Sequence, residues 1–326
     1  MELRLVTGAT GFIGWHVAAQ LLQRGEPVRL LVRDPARVCE LDGVEDLVEG
    51  DLRDRSAVER AVQGVEIVYH VAADYRLWVP DPSEMFRTNV EGTRNLLAAA
   101  KKAGVKRFVH TSTVGCIGIP RDGLGDENTP LHPNDLAGPY KQSKYLAEQA
   151  ALEASRDGFP VVIVNPTAPV GDRDRKPTPT GQIIVDYLRR RMPAYIDTGL
   201  NLVDVRDVAL GHLLAAERGR PGQRYILGGE NLTLAEIFRL LEELTGIPAP
   251  KVRLPYSVAY AYGWLSTGWA RLSGREPRAP LDAVRMARKK MFVSSTKAER
   301  ELGYRAGPVK DALARAVAWF RENGYC

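Results

Sequence analysis

Cysteine is scarce in this chain: three in 326 residues (Cys39, Cys116, Cys326), far apart and without a Cys-x-x-Cys pair. That excludes a disulfide framework and a thiolate zinc site, and it fits a reducing, cytoplasmic setting. Histidine is nearly as rare, and the five (His16, His70, His110, His132, His212) show no pairing at ligand spacing, so no metal site is expected. The opening "MELRLVTGATG" lacks the charged region and apolar core of a secretory signal. No Gly-x-Ser-x-Gly and no Lys-bearing phosphate loop occurs, which removes the commonest hydrolase and nucleotide-hydrolase readings. Excess charge of one sign is small, +5 with a pI near 9.1, and the basic residues are spread out. Nucleic acid is therefore not expected, and phosphate on a small ligand explains the excess equally well.

Long apolar runs are missing too. The most apolar stretch, "YSVAYAYGWLSTGWARL" (residues 256–272), is interrupted by Ser, Thr and Gly and falls short of the roughly 20 apolar residues of a spanning helix. Stable membrane insertion is thereby excluded. The stretch reads as a buried or lid helix. Peripheral contact with a membrane surface, helped by the basic "RMARKKMF" (285–292), is the alternative.

What is present is an ordinary globular composition, 44% hydrophobic and 26% charged, enough for one large domain and a smaller one. β-branched runs near 3–7, 28–33, 46–49, 66–71, 107–112 and 160–165 alternate with helical patterns near 12–24, 55–63, 84–103 and 140–157. Such alternation predicts an α/β fold with a doubly wound parallel sheet, its ligand held beyond the carboxyl ends of the strands. After Pro166 the rhythm breaks at the Pro-rich "GDRDRKPTPTG" (171–181) and becomes mostly helical. Residues 1–170, with returns near 200–228, are read as a dinucleotide-binding domain, and 171–326 mainly as a substrate-binding lobe.

The first strand runs into "GATGFIG" (8–14) and then a helix. Gly8 suits the tight turn, Gly11 a close approach of backbone to pyrophosphate, and Gly14 helix-on-sheet packing; Thr10, Phe12 and Ile13 complete the turn and open the helix. Three glycines in a turn can be mere loop punctuation, but the strand–turn–helix context is present. The second strand ends "LLVRDPAR". Where an acidic residue would accept from a ribose hydroxyl, Val32 is followed by Arg33, with Arg37 close behind; arginine suits a 2′-phosphate and points to NADP(H) over NAD(H). A solvated strand-end arginine is the plainer alternative. Asp51 and Leu52 would flank the adenine, and Ala72 and Ala73 would floor the cofactor.

"GPYKQSKYLAEQ" (138–149) sets Tyr140 four residues before Lys144, the one such pair among twelve tyrosines. Residues i and i+4 share a helix face, and a nearby cation favours phenolate; bringing a tyrosine from about 10 toward 7 requires roughly 4 kcal/mol. "VHTSTVGCIG" (109–118) places Thr111, Ser112 and Thr113 at the end of the fifth strand, where a hydroxyl polarises a substrate oxygen or merely caps. Tyr75 and Trp78 follow the fourth strand, placed to wall a substrate pocket or simply to pack.

Jointly and in this order, the glycine turn, the strand-end hydroxyl and the Tyr140/Lys144 pair resemble the extended short-chain dehydrogenase/reductase family, the NAD-dependent epimerase/dehydratase family. "TNVEGTRNLL" (88–97), "VNPTAPVG" (164–171) and "LVDVRDVALGHLLA" (202–215) extend the resemblance over essentially the whole chain. It implies a Rossmann fold in which Tyr140 is the acid/base, Lys144 lowers its pKa and holds the nicotinamide ribose, and Thr113, matched by its distance from Gly118, orients the substrate. Many members have serine there, and Ser112 leaves that assignment open. Pro166 would lie beside the nicotinamide and Asn165 near the substrate.

Within the family, "HVAADYRLW" (70–78), "KPTPTGQIIVDYLRRRMPAYIDTGLNLV" (176–203) and "MFVSSTKAERELGY" (291–304) look most like the hopanoid-associated sugar epimerase group, whose relatives are dihydroflavonol 4-reductase-like. The expected chemistry is reversible hydride transfer at a carbinol or carbonyl carbon. An oxidised intermediate retained and reduced on its other face gives epimerisation; one that leaves gives a net ketone or aldehyde reductase. A non-catalytic NADP(H)-binding sensor would have lost Tyr140 or Lys144. The substrate stays open among a sugar, a polyol-bearing lipid and a small ketone. The resemblance also implies a homodimer through the helices near 84–103 and 140–157.

Overall fold

A computed structural model describes residues 2–326 except Cys39, Glu40, Glu45, Arg121, Asp122 and Arg278; Cys39 thus lies outside the described residues. The chain opens with β1 (Leu3–Thr7), α1 (Phe12–Gln23), β2 (Val28–Val32), β3 (Asp46–Glu49), α2 (Arg55–Ala61) and β4 (Val65–His70). A helical segment follows as α3 (Ser83–Phe86), a π turn over Arg87–Glu91 and α4 (Gly92–Lys102). Then come β5 (Arg107–Thr111), α5 (Gly138–Arg156) and β6 (Val161–Pro166). These elements agree with the expected periodicities to within a residue or two.

The remainder adds β7 (Ala168–Val170), α6 (Pro179–Leu188), β8 (Ala194–Ile196), β9 (Gly199–Asp204), α7 (Val205–Arg218), β10 (Arg224–Leu227), β11 (Glu230–Thr233), α8 (Leu234–Thr245) and β12 (Val252–Leu254). Four helices close the chain: α9 (Tyr256–Ser273), α10 (Leu281–Met286), α11 (Thr296–Leu302) and α12 (Val309–Glu322).

Seven strands form one parallel sheet in the order β10-β6-β5-β4-β1-β2-β3. Strand order reverses between β1 and β4, so the crevice for a ligand opens at their carboxyl ends. Both faces are covered, which is why the central strands read as continuous apolar runs: α1 and α7 enclose a core with Val17, Leu21, Val208 and Leu213, while α2, α4 and α5 enclose a second with Val58, Leu96 and Ala151. A third core, with Ile184, Phe238, Leu313 and Phe320, lies among α6, α8 and α12.

The second lobe is mostly helical, as expected. It also carries a three-stranded sheet, β11-β9-β7, and a two-stranded one, β12-β8. Strands of three to six residues are too short to show an alternation against helical neighbours. The stretch 256–272 is a helix but not a buried one: of its residues only Gly263 and Ala270 are buried, and Trp264, Leu265, Trp269 and Leu272 stand in the open.

Candidate active site

At the end of β1 the chain turns through Gly8 with φ +76°, and a Cβ there would lie 2.7 Å from Ala72 N, because β4 runs alongside. A side chain at Gly14 would meet Gly8 O at 2.2 Å. Both positions therefore need glycine, one for conformation and one for closeness. The Gly11 amide donates to Gly8 O at 2.9 Å, and α1 starts without any side-chain cap, so its first amides point at the crevice ready for an anion. Thr10 and Gly11 are exposed at the turn, Phe12 is buried and Ile13 half-buried. Ala72 and Ala73, both half-buried, follow β4 on the opposite side.

Beyond β2, Arg33 and Arg37 are exposed, and Arg37 Nε lies 3.2 Å from the Asp34 carboxylate. Asp51 accepts from Arg53 Nε and Nη2, each at 2.9 Å. That pairing holds its carboxyl below the ordinary value, with Arg33 a weaker contributor, so the two arginines flank one carboxylate. Arg53 was not singled out in the sequence, since nothing in "GDLRDR" marks its reach. Leu52 is buried beneath α4, where a Cβ on Gly92 would come within 2.8 Å of it.

A buried polar chain links the ends of β1 and β4 to the helical segment before α4. Thr93 Oγ1 donates to Asn89 O at 2.6 Å, so it must accept from His70 Nε2–H at 2.9 Å. His70 Nδ1 then accepts from Thr7 Oγ1 at 2.9 Å, which leaves that oxygen to accept from the Val71 and Ala72 amides, each at 3.1 Å. Burial pushes His70 down to about 3, so the ring is neutral and its tautomer set. Asn89 joins the loop after β4 to α5, donating to Asp74 O at 2.9 Å and Ser143 Oγ at 3.0 Å. Asn89 and Thr93 belong to the "TNVEGTRNLL" stretch, but the spacing alone does not reveal what they hold.

Tyr140 and Lys144 lie on the first turns of α5, facing the ends of β5 and β6. Lys144 is buried, donates from Nζ to Thr111 O at 2.7 Å, and is pushed down to about 8 by burial. The Tyr140 phenol is pushed up to about 12, chiefly by burial, with a hydrogen bond from Thr113 acting the other way. This differs from the expected lowering by Lys144. The groups acting on the phenol are its surroundings, Thr113 and Cys116, and the lysine is drawn to a strand-end carbonyl instead.

Of the two candidate hydroxyls, Thr113 is half-buried, accepts from Gly115 N at 3.1 Å and meets the phenol. Ser112 is buried, with an Oγ that has no hydrogen-bond partner among the described residues. Asn165 is fully buried and lies behind Thr113: its amide donates to Thr113 O at 3.0 Å and to Glu148 Oε2 at 2.8 Å. It shapes the strand end from inside. Pro166 is buried at the end of β6 opposite Leu227 of β10. Tyr75 donates to Lys176 O at 2.9 Å, tying the loop after β4 to the Pro-rich segment, and Trp78 is half-buried in the same loop.

The family model described as "NAD dependent epimerase/dehydratase family" matches residues 4–228. The chain belongs to that family. A relative from Synechocystis named "Putative dihydroflavonol 4-reductase" is 48% identical, with 98% of this chain and 95% of the relative aligned. "Sterol demethylase protein B" from Methylococcus capsulatus is 38% identical over 98% of both chains. The crystal structure of gox2253 superposes with a TM-score of 0.88 at 49% identity, covering 100% of this chain and 99% of that one. The chain is accordingly an NAD(P)-dependent enzyme of the epimerase/reductase type, built on the extended short-chain dehydrogenase/reductase fold.

Proposed function

We propose that the protein is an NADP(H)-dependent ketone or aldehyde reductase, with Tyr140 as proton donor, Thr113 as the hydroxyl that orients the substrate oxygen, and Lys144 as the cation on the ribose side. The observation that carries it is the placing of Tyr140 one helical turn before the buried Lys144 on α5, with the Lys144 Nζ donating to Thr111 O at the end of β5, two residues before Thr113. When bound, the nicotinamide supplies or accepts hydride at C4. The glycine turn and the uncapped start of α1 suit the pyrophosphate, and Arg33 and Arg37 suit a 2′-phosphate.

A phenol held at about 12 keeps its proton throughout the neutral range. An alkoxide forming at a reduced carbonyl is a far stronger base, so Tyr140 is placed to act as acid, which is the direction of reduction. Thr113 donates to or accepts from the same oxygen while its other capacity is fixed by Gly115 N. The hopanoid-associated sugar epimerase reading uses the same residues, and the family description keeps it in view; the name of the Synechocystis relative supports the reductase better.

Tyr140→Phe should cut kcat/KM by about a hundred- to ten-thousand-fold while leaving NADPH affinity within about twofold, as read by fluorescence titration. Turnover that survives the substitution removes Tyr140 from the chemistry. Stoichiometric NADPH consumption marks a reductase, and cofactor unchanged over many turnovers marks an epimerase.

A further inference from the structure

Helix α9 has its polarity inside out. Two of its hydroxyl side chains face inward: Thr267 Oγ1 accepts from Leu281 N at 2.9 Å and Ser266 Oγ from Ala279 N at 3.3 Å, latching the helix to the turn before α10. Its large apolar side chains face out. Val258, Tyr262, Leu265, Trp269 and Leu272, spaced four, three, four and three residues apart, form one stripe along the outer face, between 51% and 85% exposed. Trp264, 62% exposed, stands beside it. A water-facing helix shows the reverse pattern, and apolar exposure this continuous marks a surface that something covers.

Charge selects the partner. Residues 251–290 carry nine Lys and Arg against two acidic residues, a net +7, whereas the whole chain is +5, so the other 286 residues sum to −2. Four of these cations are paired, Lys289 with Asp135, Arg253 and Lys290 with Asp197, and Arg285 with Asp282; Arg271, Arg275 and Arg288 stand exposed on and beside the helix. Covering the stripe with a second copy of α9 would bring two such basic lobes together. An anionic lipid surface meets both demands, since aromatic side chains favour the headgroup layer and basic flanks favour its charge. No described helix is long and apolar enough to cross a membrane, and the helix suits a position in the surface plane.

We propose that α9 lies in the headgroup layer of an anionic bilayer and turns the mouth of the Tyr140 cleft toward the lipid. The second half rests on the functional reading above and on the path from helix to cleft. α10 packs on α9, and the Asp282 carboxylate of α10 abuts Gly138, where a Cβ would lie 2.6 Å away, two residues before Tyr140. A carbonyl or carbinol compound resident in the membrane would then be the substrate class.

The test is flotation of the full chain with phosphatidylcholine vesicles, with and without phosphatidylglycerol, at low and high salt. Partition onto the anionic vesicles should exceed that onto neutral ones by about tenfold at low salt and fall with salt. Leu265→Glu and Trp269→Ser, both on the open face, should each lower it by roughly tenfold with NADPH affinity unchanged, which also reports that the variants fold. Absence of partition at low salt, or unaltered partition by both variants, overturns the docking. So does a dimer in solution that Leu265→Glu dissociates, because the stripe is then covered by a second copy. Failure of the unsubstituted chain to bind NADPH overturns the functional reading and leaves the vesicle result standing.

Discussion

Arg33 illustrates how one side chain decides a preference. It lies at the end of β2, exposed, and its charge reaches the Asp51 carboxylate that Arg53 grips. A 2′-phosphate there would gain a charge-assisted contact that a ribose hydroxyl would not. Arg33→Ala should therefore raise the Kd for NADPH by about ten- to a hundredfold and change that for NADH little. Equal losses for both cofactors in paired titrations would show that Arg33 is a solvated strand-end residue. The same scale shows what spacing conceals. Tyr140 and Lys144 share a helix face as their offset requires, yet the ammonium bonds Thr111 O, because the nearest strong acceptor is a strand-end carbonyl that no local pattern announces.

At the scale of elements, β6 and α5 are joined by a buried polar link. Asn165 bonds Glu148, and Glu148, fully buried, pairs with Arg224 of β10 at 3.3 Å. Taking away the arginine would leave an uncompensated carboxylate in the interior, a change that costs about 3 to 5 kcal/mol. Arg224→Met should thus lower Tm by roughly 5 to 15 °C, and double substitution with Glu148→Gln should recover part of the loss. Full additivity of the two in thermal unfolding would dissolve the link. Here the sequence was legible only in part: α5 and β6 were readable, but the partnership spans residues 148, 165 and 224 and depends on β10 returning to the sheet edge beside β6.

For the molecule as a whole, four buried histidines set its response to acid. His70 is pushed down to about 3, His212 to about 4, His110 well below its ordinary value and His16 below it, all by burial first; neither ring nitrogen of His110 has a partner among the described residues to steady a charge. Below pH 6.5 the unfolded chain binds protons that the folded chain refuses. Stability is therefore whole above 6.5 and falls as pH drops toward 4, by about 1.4 kcal/mol per pH unit for each such histidine. Asp174, raised to about 6 by burial, works in the opposite sense, since the folded state takes up its proton first, and Glu127 and Asp207, also raised by burial, act with it; the four histidines outnumber these three carboxyls. Tm measured from pH 7.5 to 4.5 should be level at first and then decline below 6.5. A flat profile would mean that these rings find acid-stable partners.

The amino-acid order by itself determined the alternation of strand and helix, the glycine turn at the first crossover and the placing of Tyr140 one turn before Lys144, because each is written in neighbours two to seven positions apart. Only the tertiary structure decided that Asn165 stands behind Thr113 and that His70 is a neutral relay between Thr7 and Thr93. It also decided that the small strands of the second lobe pair, and that α9 turns its aromatic face outward. Those outcomes depend on residues as far as 63 positions apart being brought within hydrogen-bond reach. Burial, which sets both the charge state of a side chain and the face a helix hides, is a property of that packing and not of the local pattern.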